Sequence, residues 1–204
     1  MERKVILSLF DYTGNWCRPY RDNGYTVMQI DIKHGVDILT WDYKSLKNVY
    51  GILAAVPCTD YAVSGARWFK SKDEDGRTAQ SQLLVKKTME IINYFKPEFW
   101  VIENPVSRIG RLNPGIGEVK QRFNPYDFAY LLENPLIEQY SKKTCLWGKF
   151  NQLIKNALPC LDYEKIHRPT NKEGVQVGWN TEECKELRQE TPEGFAKAFY
   201  QANK

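Results

Sequence analysis

Short apolar runs alternate with helix-period segments through the first half of the sequence. Residues 5–10 (VILSLF) read as a buried strand, followed by a polar turn at Thr13-Gly14-Asn15 and a short helix reaching Asn23. Gly24 breaks the chain, and residues 25–30 form a second strand that ends in Asp31. Residues 50–56 are a third apolar run, stopped by Pro57. Between Thr78 and Phe95, Leu84, Ile91, Ile92 and Phe95 recur at helical spacing, which predicts an amphipathic helix. Pro97 ends it, and residues 99–102 follow as a buried strand closed by Glu103-Asn104-Pro105.

The second half is less regular. Gly110, Pro114, Gly115, Gly117, Pro125 and Pro135 punctuate residues 106–142, so much of that stretch reads as loop. Residues 143–148 (KTCLWG) look like a late strand, and residues 151–190 are polar and irregular, with no element assigned. A proline directly after Thr191 suggests an N-capped terminal helix reaching Ala202. Strands separated by helices, each feeding a polar loop at its C-terminal end, predict an open, mostly parallel α/β sheet. In such sheets ligands sit outside the carboxyl ends of the strands.

Composition changes this picture little. With 42% apolar and 26% charged residues in 204, the chain suits one globular domain and not a disordered one. A net charge of +4 permits a nucleic-acid partner without requiring one. No apolar stretch is long enough to span a membrane, and the N-terminal apolar run is too brief for a signal peptide. The five cysteines, odd in number and widely spaced, are expected to be reduced thiols in a cytoplasmic protein. There is no CxxC, and His34 and His167 lie far apart in sequence, so no metal is expected.

The chemistry-bearing residues fall at predicted strand ends. Ser8 to Trp16 (SLFDYTGNW) form a glycine-containing loop between strand and helix, which lets the backbone approach a nucleoside. Asp31 is placed to accept bonds from ribose hydroxyls, and Asp37, in Gly35-Val36-Asp37-Ile38, to accept one from an exocyclic amine. Read alone, Asp37 is better taken as a surface or capping aspartate, and the first loop is as readily a plain strand-to-helix turn. Cys58, after the rigid Pro57 at the end of a strand, suits a nucleophile; a buried structural thiol is the other reading. Glu103 and Asn104 close the next strand and read either as site residues or as turn residues before a proline. A parallel sheet would bring all these ends into one cleft.

Taken together, these residues resemble the cytosine-C5 methyltransferases. The stretch from Ser8-Leu9-Phe10 through Gly14 resembles the family's cofactor motif, and Asp31 and Gly35-Val36-Asp37-Ile38 resemble the next two. Pro57-Cys58 resembles the nucleophile motif and Glu103-Asn104-Pro105 the glutamate-asparagine motif. The whole chain is similar to short, phage-type members through CTDYAVSGARW (58–68), ENPV (103–106), KTCLWGK (143–149) and TPEGFAKAFYQAN (191–203).

The resemblance implies a class I, Rossmann-like fold with helices on both faces of a mostly parallel sheet. It also implies S-adenosyl-L-methionine as cofactor and action in the cytoplasm of a bacterial host. Cys58 would add to C6 of cytosine, with Glu103, Asn104 and Lys142 completing the catalytic set. Glu103 would need its proton near neutral pH, and hence burial. Phe10, Thr13, Gly14, Asp31, Ile32, Asp37 and Pro57 would bind the cofactor, and Thr59, Ser64, Arg67 and Lys143 the substrate. The chain departs from the family at Asp11-Tyr12, where a small residue and glycine are usual. Val56 replaces the first proline before Pro57-Cys58, and Ser141-Lys142-Lys143-Thr144 replaces a Gln-x-Arg-x-Arg motif. A single catalytic domain over residues 1–204 is expected, with the irregular segment 150–190 standing where the family has a target-recognition domain.

Cytosine in DNA is the leading substrate, the base being flipped out of the duplex. A free cytidine nucleotide, RNA, and a non-catalytic nucleic-acid-binding or counter-defence module remain as alternatives. The aromatic and basic residues 67–72 (RWFKSK) read either as a track for a strand backbone or as a solvated rim.

Overall fold

A computed structural model describes residues 3–161, 169, 171, 175–178 and 181–204. Among these residues, six strands form one mixed sheet in the order β2-β1-β3-β4-β6-β5. They are β1 (Val5–Leu9), β2 (Thr26–Ile30), β3 (Val49–Ala55), β4 (Phe99–Pro105), β5 (Gln121–Phe123) and β6 (Thr144–Lys149). The first four strands are mutually parallel, whereas β6 runs antiparallel to both of its neighbours. The helices are α1 (Arg18–Asp22), α2 (Phe69–Glu74), α3 (Arg77–Phe95), α4 (Ile109–Leu112), α5 (Glu182–Gln189) and α6 (Glu193–Ala202).

Strand side chains alternate between faces, and the central strands are apolar on both because helices cover both. Leu7, Leu9, Ile52, Ala54 and Ile102 pack with Val85, Ile91 and Ile92 of α3. Ile6, Leu53, Val101 and Leu146 pack on the other face with Tyr20 of α1 and with Phe195 and Phe199 of α6. Phe123 stacks on Phe195 with ring centroids 4.1 Å apart, which joins edge strand β5 to the terminal helix. Gly51, inside β3, lies where any side chain would collide with the Phe99 ring, 2.1 Å from a built Cβ.

The register sets the functional edge. Leu9 lies opposite both Ile30 and Ala54, and Ala55 opposite Glu103, so the carboxyl ends of β1 to β4 finish at one level.

The expected strands 5–10, 25–30, 50–56 and 143–148 and helix 78–95 are present, with ends shifted by one or two residues. Three expectations need correction. Glu103-Asn104-Pro105 do not close β4 but complete it, because β6 continues the ladder to a Pro105–Thr144 pair. The terminal helix is capped not by Thr191 but by a distant carboxylate: Pro192 is the N-cap, and Glu138 Oε1 and Oε2 accept from the amides of Glu193 (2.5 Å) and Gly194 (3.1 Å). Within the segment read as irregular, residues 151–161 have no helix or strand, but Glu182–Gln189 is helix α5. Its apolar residues, Cys184 and Leu187, are too few to show a helical period. The rest of that segment, residues 162–168, 170, 172–174 and 179–180, lies outside the described residues.

Candidate active site

At the ends of β1 and β2, Phe10 is held by its amide, which donates to the Ile30 carbonyl at 2.9 Å, and it takes a left-handed conformation with φ of 60°. That conformation is uncommon for a residue with a side chain, and the tightly bonded loop from Asp11 to Cys17 maintains it. Asp11, 4% exposed, accepts from Ser8 Oγ (2.8 Å), the Gly14 amide (3.0 Å) and the Cys17 amide (3.4 Å). The departure from the family motif at position 11 is thus an internal tie that folds the loop. Gly14, at φ of 70°, has the Gln29 amide group against it, 2.9 Å from a built Cβ; Gln29 Nε2 in turn donates to the Asp11 carbonyl at 2.7 Å. Burial, then the charge of Asp11, pushes the thiol of Cys17, behind the loop, up to about 12.

Asp31 Oδ1 accepts from the Lys33 amide (2.8 Å) and Asp37 Oδ1 from the Leu39 amide (2.9 Å), so each aspartate orders its own turn with one oxygen. Ile32 beside Asp31 is 69% exposed, an apolar face next to an acceptor. Thr13 is exposed, and its hydroxyl accepts from the Asn15 amide at 3.4 Å.

The second half of the site lies at the ends of β3, β4 and β6. Cys58, half-buried, follows β3 by three residues; Glu103, half-buried, faces Ala55 across the ladder; Lys142 lies two residues before Thr144, the partner of Pro105. Burial raises the Cys58 thiol, the charge of Glu103 raises it further, and Lys142 and Arg188 draw it down. Burial also raises the Glu103 carboxyl, against the pull of Lys142. Burial lowers Lys142, opposed by Glu103 and Cys58. Cys58 and Lys142 each sense the other two groups, and Glu103 senses Lys142, so the three share one poorly solvated pocket. Lys142 Nζ donates to the carbonyls of Arg188 (2.7 Å) and Glu190 (3.3 Å), at the C-terminal end of α5, where the helix dipole favours a cation. Asn104 is fully buried; its Nδ2 donates to the Val56 carbonyl at 2.9 Å, clamping the backbone just before Pro57-Cys58.

Behind Cys58 lies a set of charges that sequence reasoning missed. Tyr61 and Ala62 amides both donate to the Cys58 carbonyl at 2.9 Å. Asp60, Lys72 and Arg108 are all at least nine-tenths buried. Lys72 Nζ lies 3.2 Å from Asp60 Oδ1 and donates to the Thr59 carbonyl, and Ser81 Oγ donates to Asp60 Oδ2 at 2.6 Å. Arg108 donates to the Asp60 carbonyl (3.1 Å), to both oxygens of Asp73 (2.8 Å each) and to Thr78 Oγ1 (2.9 Å). Buried ion pairs leave no periodic trace, and Lys72 reads in the sequence as one more cation of the RWFKSK run. The structure splits that run: Lys72 is inside, Phe69 lies under the Arg108 guanidinium at 3.8 Å, and Arg67, Trp68 and Lys70 are exposed.

Of the expected substrate residues, Thr59, Ser64, Arg67, Lys143 and the neighbouring Pro57 are exposed around the Cys58 edge. Among the described residues no group of three or more His, Cys, Asp or Glu is placed to hold a metal ion, and no helix is long and apolar enough to cross a membrane. His167 lies outside the described residues.

A mixed sheet with its acceptors, thiol and carboxyl gathered on the carboxyl edge is consistent with the α/β fold of S-adenosylmethionine-dependent methyltransferases. The chain is 33% identical over 137 residues to the frog virus 3 (isolate Goorha) protein named "Probable DNA (cytosine-5)-methyltransferase". The match covers 59% of this chain and 63% of that protein, so the chain spans less than two thirds of its relative. This similarity and the order of the motifs support the cytosine-C5 methyltransferase family. No family model matches the sequence. A protein from an E. coli prophage, assigned as a DNA modification methyltransferase, superposes with a TM-score of 0.45 at 14% identity, over 72% of this chain and 46% of that one.

Proposed function

We propose that the protein transfers a methyl group from S-adenosylmethionine to C5 of cytosine in DNA. The observation that carries the reading is the trio of Cys58, Glu103 and Lys142 in one poorly solvated pocket at the ends of adjacent strands, with the Glu103 carboxyl raised.

The ends of β1 and β2 fit the adenosine half of such a cofactor. Asp31 has an oxygen to spare for ribose hydroxyls, Ile32 offers an apolar face, and Asp37 has an acceptor for an adenine amine. Phe10, Thr13 and Gly14 would flank the rest, with Pro57 shaping the wall toward Cys58. When bound, the cofactor supplies an electrophilic methyl group on a sulfonium.

C5 of cytosine is a weak nucleophile, and the residues of this chain correct that. The Cys58 thiolate adds to C6, forming an S–C6 bond. Glu103, its carboxyl raised by burial, donates its proton to N3, and C5 becomes the nucleophilic end of an enamine. Lys142 steadies the negative charge on Cys58 before the addition and on Glu103 after its proton has gone. Once C5 carries the methyl group, loss of the C5 proton to a base breaks the S–C6 bond, Cys58 leaves as the thiolate, and N3 returns its proton to Glu103, which restores the ring. Asn104 holds the Val56 carbonyl and so keeps Cys58 in line with Glu103.

Methyl transfer from tritiated S-adenosylmethionine to a cytosine-containing oligodeoxynucleotide, a matching RNA and dCMP tests the reading. Incorporation into DNA is expected, falling ~10³-fold or more in Cys58→Ala. Turnover unchanged by that substitution would remove Cys58 from the mechanism, and transfer confined to RNA or dCMP would change the substrate.

A further inference from the structure

Next to Cys58 the surface carries a feature that the methyl transfer does not use. Residues Val63–Trp68 form a 3-10 turn directly after the Cys58 loop and leave Val63 and Trp68 each 54% exposed. The turn is firmly held from behind. Ala62 bridges to Ser107, and the Val63 amide donates to the Val106 carbonyl at 3.1 Å. Trp68 closes that turn, ten residues after Cys58.

The charge around this turn is one-sided. Its neighbouring acids are neutralised: Asp60 by Lys72, Asp73 by Arg108, Glu74 by Lys70 and Asp75 by Arg77. Arg67 has no carboxylate partner among the described residues, and its guanidinium lies 5.1 Å from the centre of the Trp68 ring. Beyond Val106, which is 38% exposed, the exposed Lys143 continues the row, also without a carboxylate partner among the described residues. An exposed indole on a turn, beside cations that have no carboxylate partner among the described residues, suits an unpaired polynucleotide. Every base has a face to stack and every phosphate a charge, whereas a continuous duplex keeps its base faces covered.

We propose that the Val63–Trp68 turn binds an unpaired nucleic-acid strand, with Trp68 stacking on the base beside the target and Arg67 engaging the phosphates. The target's place in this arrangement rests on the cytosine reading of the cleft; the strand-binding surface itself does not. The substrate is then single-stranded or locally opened, not a free nucleotide and not intact duplex.

Fluorescence anisotropy of end-labelled 12-nucleotide single strands of DNA and of RNA, against the full chain, tests this. Trp68→Ala should weaken binding about 10-fold, Trp68→Phe much less, and Arg67→Ala should lower the salt slope by about one. Far-ultraviolet circular dichroism of each variant guards against misfolding, and Trp68→Phe keeps the test valid if Trp68→Ala unfolds. Equal affinity of wild type and Trp68→Ala, or tighter binding to intact duplex, overturns the proposal, as does methylation of dCMP as efficient as that of an oligonucleotide. Trp68-dependent strand binding without any methyl transfer would support the surface while sinking the enzymatic reading.

Discussion

Cys58, Glu103 and Lys142 have meaning only as a set. The burial that raises Glu103 also raises the Cys58 thiol, and Lys142 is, with Arg188, a cation that offsets this at Cys58. Lys142→Met removes that cation. The thiol should then ionise at higher pH, so that the rate of Cys58 alkylation by iodoacetamide rises with pH about one unit later than in wild type. An unchanged profile would mean that Lys142 does not act on the thiol. Glu138 gives a separate test of what burial does to a carboxyl. Its carboxyl, buried against the start of α6, is raised from 4.5 to about 7. Because the folded state holds that proton more tightly than the unfolded one, stability is full below pH 4.5 and declines as pH rises toward 7. The loss should be on the order of 3 kcal/mol. Denaturation across that interval should show the decline in wild type, and Glu138→Gln should flatten it.

At the scale of elements, two unlike devices position the site. The sheet register levels the carboxyl ends of β1 to β4, while the buried ions Asp60, Lys72 and Arg108 tie the loop after Cys58 to α2 and α3. Lys72→Met should lower stability by about 3–5 kcal/mol, since it strands a buried carboxylate. Adding Asp60→Asn should recover part of that. Urea denaturation measures both, and a loss below ~1 kcal/mol for the single variant would mean the pair does not hold the loop. The first device was legible in the sequence and the second was not. Apolar runs broken by Pro57, Pro97 and Gly24 mark the parallel strands, and so the residues at their ends. Ion pairs such as Lys72–Asp60 are made by residues that look solvent-exposed one at a time. Helix α5 was hidden for a related reason: its sequence, EECKELRQ, is almost wholly polar, yet its C-terminal carbonyls hold Lys142.

Across the molecule, one edge of the sheet carries a nucleoside-sized set of acceptors and an apolar face at β1 and β2, and a thiol–carboxyl pair at β3 and β4. Helix α5 touches both ends of that edge, through a 3.0 Å Lys33–Glu186 ion pair and through Lys142. The exposed Trp68 turn borders the thiol end. On the proposed reading the methyl donor would sit at β1 and β2 and the flipped cytosine at β3 and β4 of that same edge. The central claim is that Cys58 bonds to the cytosine ring during transfer. A single-stranded oligodeoxynucleotide in which the target cytosine carries fluorine at C5 tests it directly, because fluorine cannot leave C5 as a proton does and the adduct cannot resolve. Mass spectrometry of the full chain incubated with this oligonucleotide and S-adenosylmethionine should show one covalent protein–oligonucleotide adduct, mapped to Cys58 and absent from Cys58→Ala. No adduct, or one that persists in Cys58→Ala, would contradict the account.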